Sequence, residues 1–369
     1  MKVLNAMARG VGLVALLTMA ACGAASDETE AETNADGDLV VNGQVIADAD
    51  TYQKALDGGS MVLYTGGGEE SEQELLDMFS KDTGIKTELL RLVPNKLTER
   101  ILSEQAADRL GADVIRTSDA GLIKAIADSG ALATHEVPED LKVPSDAKNA
   151  NGMYYRTFDR VYALGYNNQM VSKGDAPATW EDLVDSRLKK KIGIVQVGAG
   201  GSTASLTRFQ LDKFGEDYLE QYASLSPRIF DSASTAIDAV ARGEIEVSPM
   251  TVGNAAGPIS EGAPITLVFP EDGMPSYEFF LGVASGAKHE AAAQIFMNWS
   301  LSKKGQTATA RQGDYPTVEG IETPSIGDVK LPARDEAGLV RYEQEDALEK
   351  TAPDAKLWSR VFGYTGAAS

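Results

Sequence analysis

A glycine-rich segment that ends in hydroxyl side chains, GAGGSTAS at residues 198–205, lies between a predicted strand and a predicted helix. Glycine lets a ligand approach the backbone closely. Ser202 and Thr203 would stand among the free N–H groups of the helix start, where donors and helix dipole both favour an anion. The segment lacks the lysine of a nucleotide P-loop. The pattern therefore predicts an anion contact, with a plain serine or threonine helix cap as the competing interpretation.

Residues that could carry catalysis are few. The chain has two histidines, His135 and His289, and neither follows the end of a predicted strand. The sequence contains no GxSxG elbow and no HExxH motif. Its single cysteine, Cys22, lies near the N-terminus, far from the predicted lobes. The sequence therefore predicts a binding protein that is not an enzyme and that needs no cofactor and no resident metal.

The elements around these residues alternate between strands and helices from residue 60 onward. SMVLYT at 60–65 is typical of a buried strand, and a helix is predicted over 71–84, with Ser71 and Glu74 spaced as a capping box and Gly84 as its end. The strands IKTELLRL and ADVIRTS follow, each with its own helix. Repeated β-α-β units with right-handed crossovers predict a mostly parallel sheet, in which ligands bind at the carboxyl ends of the strands.

The alternation restarts in a second region, where WEDLVDSRL is predicted to be helical, KIGIVQV to be a strand and GAGGSTASLTRFQLDKFG to enter a helix. Two apolar runs, at 159–167 and 277–286, suit strands that pass from one lobe to the other. Two such crossings predict that the second lobe is inserted into the first. The helix EAAAQIFMNWSLSKKG then returns to the first lobe, and the ligand cleft lies between the lobes.

The N-terminal segment predicts export and a membrane anchor. Residues 1–21 carry an early positive charge, an apolar run and small residues before Cys22, which is the layout of a signal peptide and resembles a bacterial lipobox. Residues 22–38 are acidic, with almost no apolar side chains, and predict a disordered tether. We expect a protein held outside the cytoplasmic membrane by a lipid on Cys22. The alternative is an ordinary secretion signal with an incidental cysteine.

The bulk properties limit the possible partners. After the tether, about 330 residues remain, more than one compact core usually holds, so two lobes are expected. The net charge of −21 argues against nucleic acid, whose phosphates need lysine and arginine. An acidic surface does not identify a ligand, because a local pocket can carry the opposite sign. We expect a monomer that binds a small molecule.

Several segments together resemble one family of proteins. They are YTGGGEE, DTGIK, ADVIRTSDAG, ATWEDLVDSRLKKKIG, ARGEIEV, SGAKHEAAAQIFMNWSLSKKGQ and DYPTVEG. Their order and spacing resemble the extracytoplasmic solute-binding proteins of ABC importers, in the branch of the bacterial ferric-binding proteins. The resemblance implies a type II periplasmic-binding-protein clamshell that delivers a solute to a membrane permease. The predicted boundaries are 39–163 for the start of the first lobe, 164–278 for the second lobe, and 279–369 for the rest of the first lobe with the C-terminal helices.

The resemblance also identifies departures from iron binding. The adjacent tyrosines that hold iron in ferric-binding relatives fall at about Val252 and Gly253 in this chain, and the histidine of many relatives falls near Gly68. Both changes remove ligands that iron(III) prefers. Arg160 lies in a segment that corresponds to an arginine-bearing segment of those relatives, where it helps to hold a synergistic anion. The planar guanidinium of arginine suits a carboxylate or a phosphate. The alternative for Arg160 is an ion pair with Asp159 or another acid.

Loops at the strand ends supply the remaining candidates. The predicted ligand contacts are Thr65, Gly66, Ser118, Asp119, Arg160, Gly201, Ser202, Thr203, Ser234, Asn254 and Tyr277. Donors dominate this set, which favours a phosphonate, a phosphorylated metabolite or a carboxylate. The competing ligands are ferric complexes and a cationic amine, such as a polyamine or thiamine, held by Asp119, Asp231 and Glu278 with Tyr277 stacked on it. A receptor that signals to a membrane sensor is the alternative to a transport protein.

Overall fold

The computed structural model describes residues 31–149 and 151–365, which form a mixed α/β fold. The strands are β1 Glu32–Thr33, β2 Leu39–Val41, β3 Gln44–Ala47, β4 Met61–Thr65, β5 Thr87–Arg91, β6 Val114–Ser118, β7 Tyr155–Asn167, β8 Gly193–Val195, β9 Arg228–Phe230, β10 Val247–Thr251, β11 Ile265–Val268, β12 Met274–Val283, β13 Tyr315–Pro316, β14 Ser325–Ile326, β15 Val329–Lys330 and β16 Leu339–Val340. The helices are α1 Ala49–Gly58, α2 Glu69–Thr83, α3 Pro94–Ala106, α4 Ala120–Asp128, α5 Gly201–Phe214, α6 Glu216–Ser224, α7 Ala233–Ala241, α8 Val252–Ser260, α9 Glu290–Leu301, α10 Lys303–Arg311 and α11 Gln344–Phe362. Within the described ranges, no helix combines the length and the apolar content that a membrane span requires.

The main sheet runs in the order β10-β7-β12-β6-β4-β5. Its β4 lies parallel to both neighbours, with Leu63 opposite Leu89 on one side and Val114 on the other. Successive side chains of β4 enter different apolar clusters, Leu63 into one and Tyr64 into another, because side chains alternate across a strand and helices cover both faces. Because these strands are parallel, the carboxyl ends of β4, β5 and β6 share one edge of the sheet.

The long strands β7 and β12 join the two lobes. The first lobe contains β4, β5, β6 and their helices, and the second lobe contains β8 to β11 and α5 to α8. The start of β7 pairs with β12, where Arg160 lies opposite Tyr277, and its end pairs with β10, where Tyr162 lies opposite Thr251. The second lobe lies between β7 and β12 in the sequence, so the prediction of an inserted lobe with two crossing strands is confirmed.

Some predicted helix ends are confirmed and others are wrong. Gly84 ends α2 in the left-handed conformation, as predicted. The capping box is absent, because α2 begins at Glu69 and Ser71 lies inside its first turn, where its Oγ donates to the Gly68 carbonyl. The segment 180–188 forms 3₁₀ turns instead of the predicted helix. Its aspartates bind nearby backbone N–H groups and compete with helical hydrogen bonds.

The N-terminal part of the described chain belongs to the first lobe. β1 pairs with β2, so the predicted disorder up to residue 38 is wrong from residue 31 onward. The Asn34 side chain accepts from the N–H groups of Asp36 and Asp38 and closes the turn that brings the two strands together. Further on, the Ile46 carbonyl accepts from Asn298 of α9 at 2.8 Å. Cys22 and the signal peptide lie outside the described residues.

The C-terminal helix α11 contacts both lobes. It packs on α5 and α6 of the second lobe and on α4 of the first. Trp358 is buried in the core of the second lobe and stacks on Phe362, with ring centroids 4.5 Å apart. Asp354 pairs with Arg208 of α5 at 2.8 Å. The sequence predicts C-terminal helices after the first lobe without assigning them to a lobe, and the aromatic stripe of α11 completes the core of the second.

Candidate ligand-binding site

A small cavity lies between the lobes at the carboxyl ends of the strands. Its volume is about 40 Å³, room for a few water molecules. Gly66, Gly67, Arg91, Val93, Pro94, Ser118, Val195, Ala199, Ser202, Ser232, Ala233, Asn254, Tyr277 and Phe279 line it. We call this space the interlobe cavity. It brings together five of the predicted contacts, namely Gly66, Ser118, Ser202, Asn254 and Tyr277.

Two helices of the second lobe begin at the interlobe cavity without a side-chain cap. α5 follows Gly200, and α8 follows Thr251, and neither preceding side chain accepts a hydrogen bond from the helix. The first N–H groups of a helix have no partner inside the helix and carry its positive dipole end. Neither helix has an acidic residue in its first turn. These two helix starts can therefore donate to an anion in the cavity.

Arg91 is a lining residue that the sequence analysis missed. It ends β5, and its Nε donates to the Gly67 carbonyl at 3.0 Å. Burial lowers the pKa of Arg91, and the nearby Glu69 opposes that change. Among the described lining residues it carries the one charged side chain. The strand-end rule that selected Ser118 and Thr65 would have found Arg91 had it been applied to the third parallel strand.

Buried hydroxyls lie where β7, β10 and β12 run side by side. The rings of Tyr162 and Tyr277 are 6.2 Å apart, and Thr251 lies opposite Tyr162. The Tyr162 hydroxyl and the Thr251 Oγ1 have no hydrogen-bond partner at standard geometry within the described part of the chain. Burial raises the pKa of Tyr162 to about 12, although the Ser202 hydroxyl opposes this, and burial also raises the pKa of Tyr277. Both phenols therefore stay protonated near neutral pH.

Arg160 is held in a buried ion pair. Its Nε and Nη2 donate to the two carboxylate oxygens of Asp314 at 2.7 and 2.5 Å, and its Nη1 donates to Asn254 Oδ1 at 2.5 Å. Arg160 and Asp314 are 2% and 0% exposed, so the guanidinium fork is occupied. The structure agrees with the ion-pair interpretation and not with direct anion contact, and the partner is Asp314, not Asp159.

Gly253 is required by the position of Arg160. A Cβ atom on Gly253 would lie 2.5 Å from Arg160 Nε and 2.7 Å from Arg160 Cζ. The guanidinium therefore occupies the space in front of the position where the resemblance to ferric-binding proteins places one tyrosine of the iron-binding pair. Any side chain at this position would therefore clash with the guanidinium.

Two predicted contacts have local structural roles. Thr203 Oγ1 lies within hydrogen-bond distance of the Val197 and Gly200 carbonyls, at 2.7 and 2.9 Å. Thr65 Oγ1 donates to Glu72 at 3.1 Å. For these two residues, the cap or packing interpretation describes the structure better than ligand contact. A third, Ser234 of α7, is exposed and lines the wider opening of the cleft beside the first turn of α2, which we call the outer mouth of the cleft.

Asp119 and Gly201 form the contact between the lobes. A Cβ atom on Gly201 would lie 2.7 Å from the Asp119 Cα, so this glycine permits the close approach. Asp119 has a φ of 88°, and its Oδ1 accepts from Gly121 N at 2.7 Å and Leu122 N at 3.0 Å, so Asp119 caps the start of α4. Burial raises the pKa of Asp119. The two lobes are therefore closed on one another.

A second cavity, of about 60 Å³, lies on the other side of this contact. It is bounded by α4, α5, β12 and α11, and Asp119, Gly201, Tyr277 and Glu278 are among its lining residues. We call it the rear cavity. The acids that were predicted to hold an amine do not all meet there, because Asp231 is exposed on the second lobe and accepts from the Tyr364 hydroxyl at 3.3 Å.

The histidines and acids of the described chain do not form a metal centre. Within residues 31–149 and 151–365, no group of three or more histidine, cysteine, aspartate or glutamate side chains could hold a metal ion. His135 Nε2 lies 2.8 Å from Asn298 Oδ1, and His289 Nδ1 lies 2.8 Å from Asp113 Oδ2. Both histidines therefore join elements of the first lobe.

Comparisons with known proteins agree with this architecture. The family described as "Bacterial extracellular solute-binding protein" matches residues 111–348. The chain is 24% identical over 306 residues to the "Putative 2-aminoethylphosphonate-binding periplasmic protein" of Salmonella typhimurium, which covers 78% of this chain and 87% of the relative. The chain belongs to this family of bacterial extracellular solute-binding proteins. It is a substrate-binding protein of an ABC importer, in the branch that resembles the ferric-binding proteins.

Two solved structures share the fold. The periplasmic binding protein AfuA from Actinobacillus pleuropneumoniae, with fructose-6-phosphate bound, has a TM-score of 0.71 and 20% identity, and the match covers 83% of this chain and 99% of that chain. Iron-bound HitA from Pseudomonas aeruginosa has a TM-score of 0.67 and 23% identity, with 82% and 99% covered. These likenesses show the two-lobe α/β fold. The family consists of binding proteins, not enzymes.

Proposed function

We propose that this protein captures a small anion in the interlobe cavity and delivers it to an ABC permease. The solute would be a phosphonate, a phosphorylated metabolite or a carboxylate. One observation carries the proposal: among the described lining residues, Arg91 has the one charged side chain, and no carboxylate lines the cavity. The chain as a whole has a net charge of −21. The wall of this cavity is therefore a local exception beside the outer mouth of the cleft, which shares Arg91 and Asn254 and carries six carboxylates, and the acid-free wall favours a negatively charged solute.

The donors around the cavity support the same conclusion. An anion at the start of α5 would accept hydrogen bonds from uncapped backbone N–H groups and from the Ser202 hydroxyl. Ser118 and Arg91 would reach it from the first lobe. Hydrogen bonds to a charged group contribute about 1.5–3 kcal/mol each. Because the donors come from both lobes, an anion would stabilise the closed form over the open one.

The relatives also favour a phosphorus oxyanion. The Salmonella typhimurium relative is named for 2-aminoethylphosphonate, and AfuA holds fructose-6-phosphate.

Iron(III) is a weaker candidate, although HitA binds it. Iron(III) needs phenolate and carboxylate donors. The interlobe cavity has no carboxylate among its described lining residues, and the raised pKa values of Tyr162 and Tyr277 oppose phenolate formation. The Arg160 guanidinium also lies against Gly253, where the resemblance places one of the iron-binding tyrosines.

A thermal-shift screen tests the proposed ligand class. The panel would contain phosphonates, sugar phosphates, organic acids, polyamines and ferric citrate. We expect phosphonates or phosphate esters to raise the melting temperature and to decrease the radius of gyration in small-angle scattering. A rise with polyamines or ferric citrate alone would overturn the anion proposal.

The export signal and the lipid on Cys22 belong to this proposal too. The family is extracellular, and a lipid anchor would keep the protein beside its permease. Cys22→Ala should release the protein from the membrane fraction, and mass spectrometry of the wild type should detect a diacylglycerol adduct on Cys22. A mature chain with an unmodified N-terminus at another residue would contradict the anchor.

A further inference from the structure

Arg160 and Asn254 are coupled behind the interlobe cavity. The Arg160 guanidinium uses three of its nitrogens on Asp314 and Asn254, and it lies 5.4 Å from the Phe158 ring centroid and 5.0 Å from that of Phe279. The guanidinium therefore has one orientation, because it is buried, binds both oxygens of a carboxylate and lies near two aromatic rings. Asn254, in contrast, lies in the first turn of α8 and lines the cavity.

The chemistry of the two groups determines which end of the Asn254 amide faces the ligand. A guanidinium has only donors, so Asn254 must present its carbonyl oxygen to Arg160. The amide is planar, which leaves the Nδ2 amino group as the end available to the cavity. Among the described residues, no acceptor for Nδ2 is found. An unconstrained asparagine could rotate and offer either its oxygen or its nitrogen, but this one cannot.

We infer that Arg160 is a positioning residue, which fixes Asn254 with its amide donors toward the ligand and so makes the site select deprotonated oxygens. This inference rests on the proposed function, because it concerns the same ligand. Asp314 compensates the positive charge, so the arginine acts through the orientation of its neighbour.

The position of Asn254 gives this orientation a role in closure. A Cβ atom on Gly68, in the first lobe, would lie 3.5 Å from Asn254 Oδ1. Asn254 itself belongs to the second lobe. Arg91 and Ser118 of the first lobe line the same cavity as Asn254, so a ligand bound to Nδ2 in that cavity would also reach the first lobe.

A double-mutant cycle in ligand affinity tests the inference. The variants are Asn254→Ala, the pair Arg160→Met with Asp314→Leu, and their combination. The pair removes both ends of the buried ion pair, so that neither charge is left unpaired. The probes are methylphosphonate and inorganic phosphate, measured by calorimetric titration. We expect Asn254→Ala to weaken binding about tenfold in the wild type and less than about threefold in the pair background, where the amide can rotate.

The pH profile distinguishes orientation from a merely structural role. Near pH 6 and below, a phosphoryl dianion takes up a proton and becomes a monoanion that carries a P–OH group. Nδ2 cannot accept a hydrogen bond from that group, so wild-type affinity should fall as the pH is lowered, whereas the pair variant should show a flatter profile. Equal costs of Asn254→Ala in both backgrounds, with parallel pH profiles, would overturn the inference.

Two outcomes need a separate interpretation: a pair variant that does not fold and a wild-type protein that binds no probe. If the pair variant does not fold, Arg160→Lys replaces it, because lysine keeps the charge beside Asp314 but loses the fork that reaches Asn254. This variant should reproduce the reduced cost of Asn254→Ala, and an undiminished cost would overturn the inference. If the wild-type protein binds neither probe nor any anion of the screen, the proposed function and this inference both fail. If it binds a probe and the cycle shows no coupling, only the positioning of Asn254 by Arg160 is wrong.

Discussion

The helices α4 and α5 begin opposite each other, one in each lobe, and their starts differ in chemistry. α4 begins after Asp119, whose carboxylate accepts from two N–H groups of its own first turn. α5 begins after Gly200, with Gly201 as its first residue, and has no side-chain cap. The first start is therefore satisfied from within the chain, and the second has donors to offer. The glycine-rich sequence of α5 gives close approach, and the missing cap leaves backbone donors for the proposed anion.

The same difference extends to the lobes. In the first lobe, α2 carries Glu69, Glu70 and Glu72 in its first turn, which already neutralise its dipole. In the second lobe, α5 and α8 have no acid in their first turns. We expect an anion to bind the second lobe first and the first lobe to close on it with Arg91. Substitutions around the cleft should therefore differ in effect, from the largest at the charged Arg91 to the smallest at Asp119, which caps its own helix.

Removing the charge of Arg91 should have the largest effect. Arg91→Met deletes the one charged side chain that lines the cavity among the described residues. We expect the affinity for a phosphonate to fall about a hundredfold, because a charge-assisted contact and its Coulomb attraction are both lost. Calorimetric titration measures the change. Arg311→Met is the control, since Arg311 lies at the outer mouth of the cleft. Equal losses of affinity in the two variants would mean that Arg91 acts only through the electrostatic potential of the whole protein and not through direct contact with the ligand.

Adding a methyl group at Gly201 should prevent closure. The new Cβ would lie 2.7 Å from the Asp119 Cα, and overpacking of this kind costs about 1–3 kcal/mol. Gly201→Ala should therefore weaken binding about 10- to 100-fold and abolish the decrease in radius of gyration on ligand addition. Gly174→Ala is the control, because nothing lies within 4 Å of its Cβ position. A Gly201→Ala protein that still contracts would show that closure does not need this contact.

Ser202 and Thr203 are neighbours with opposite expected behaviour. Ser202 lines the cavity, whereas Thr203 Oγ1 lies 2.7 Å from the Val197 carbonyl. Ser202→Ala should weaken anion binding about tenfold with little change in melting temperature. Thr203→Val should lower the free energy of unfolding by about 1 kcal/mol and leave affinity nearly unchanged. Titration and denaturant unfolding of both variants measure the difference. The reverse pattern would place the ligand on the other side of α5.

The sequence predicted the features that depend on local pattern. Strand and helix alternation, the two crossing strands and the Gly-Ser start of α5 follow from periodicity and from residue type. The role of Arg160 could not be predicted in this way, because its partner Asp314 lies 154 residues further along the chain. The sequence does not indicate the position of α11 for a similar reason. An aromatic stripe such as Trp358 with Phe362 indicates burial, but it does not say against which lobe.

The smallest effect on affinity is expected at Asp119, the capped start of α4. Asp119→Asn keeps a good N-cap and removes a carboxylate. An anionic ligand should lose less than about threefold in affinity, whereas a cationic amine held by Asp119 would lose most of its binding.

The Asp119→Asn substitution should also change how the stability of the folded protein depends on pH. Burial raises the pKa of Asp119 above its ordinary value, so the folded state binds the proton more tightly than the unfolded state. Wild-type stability should therefore fall as the pH rises from about 3.9 through the raised pKa. The Asp119→Asn variant should lack this component, which thermal unfolding of both proteins across the acidic range would measure as a difference. Parallel profiles would mean that the Asp119 carboxylate stays solvated at the start of α4.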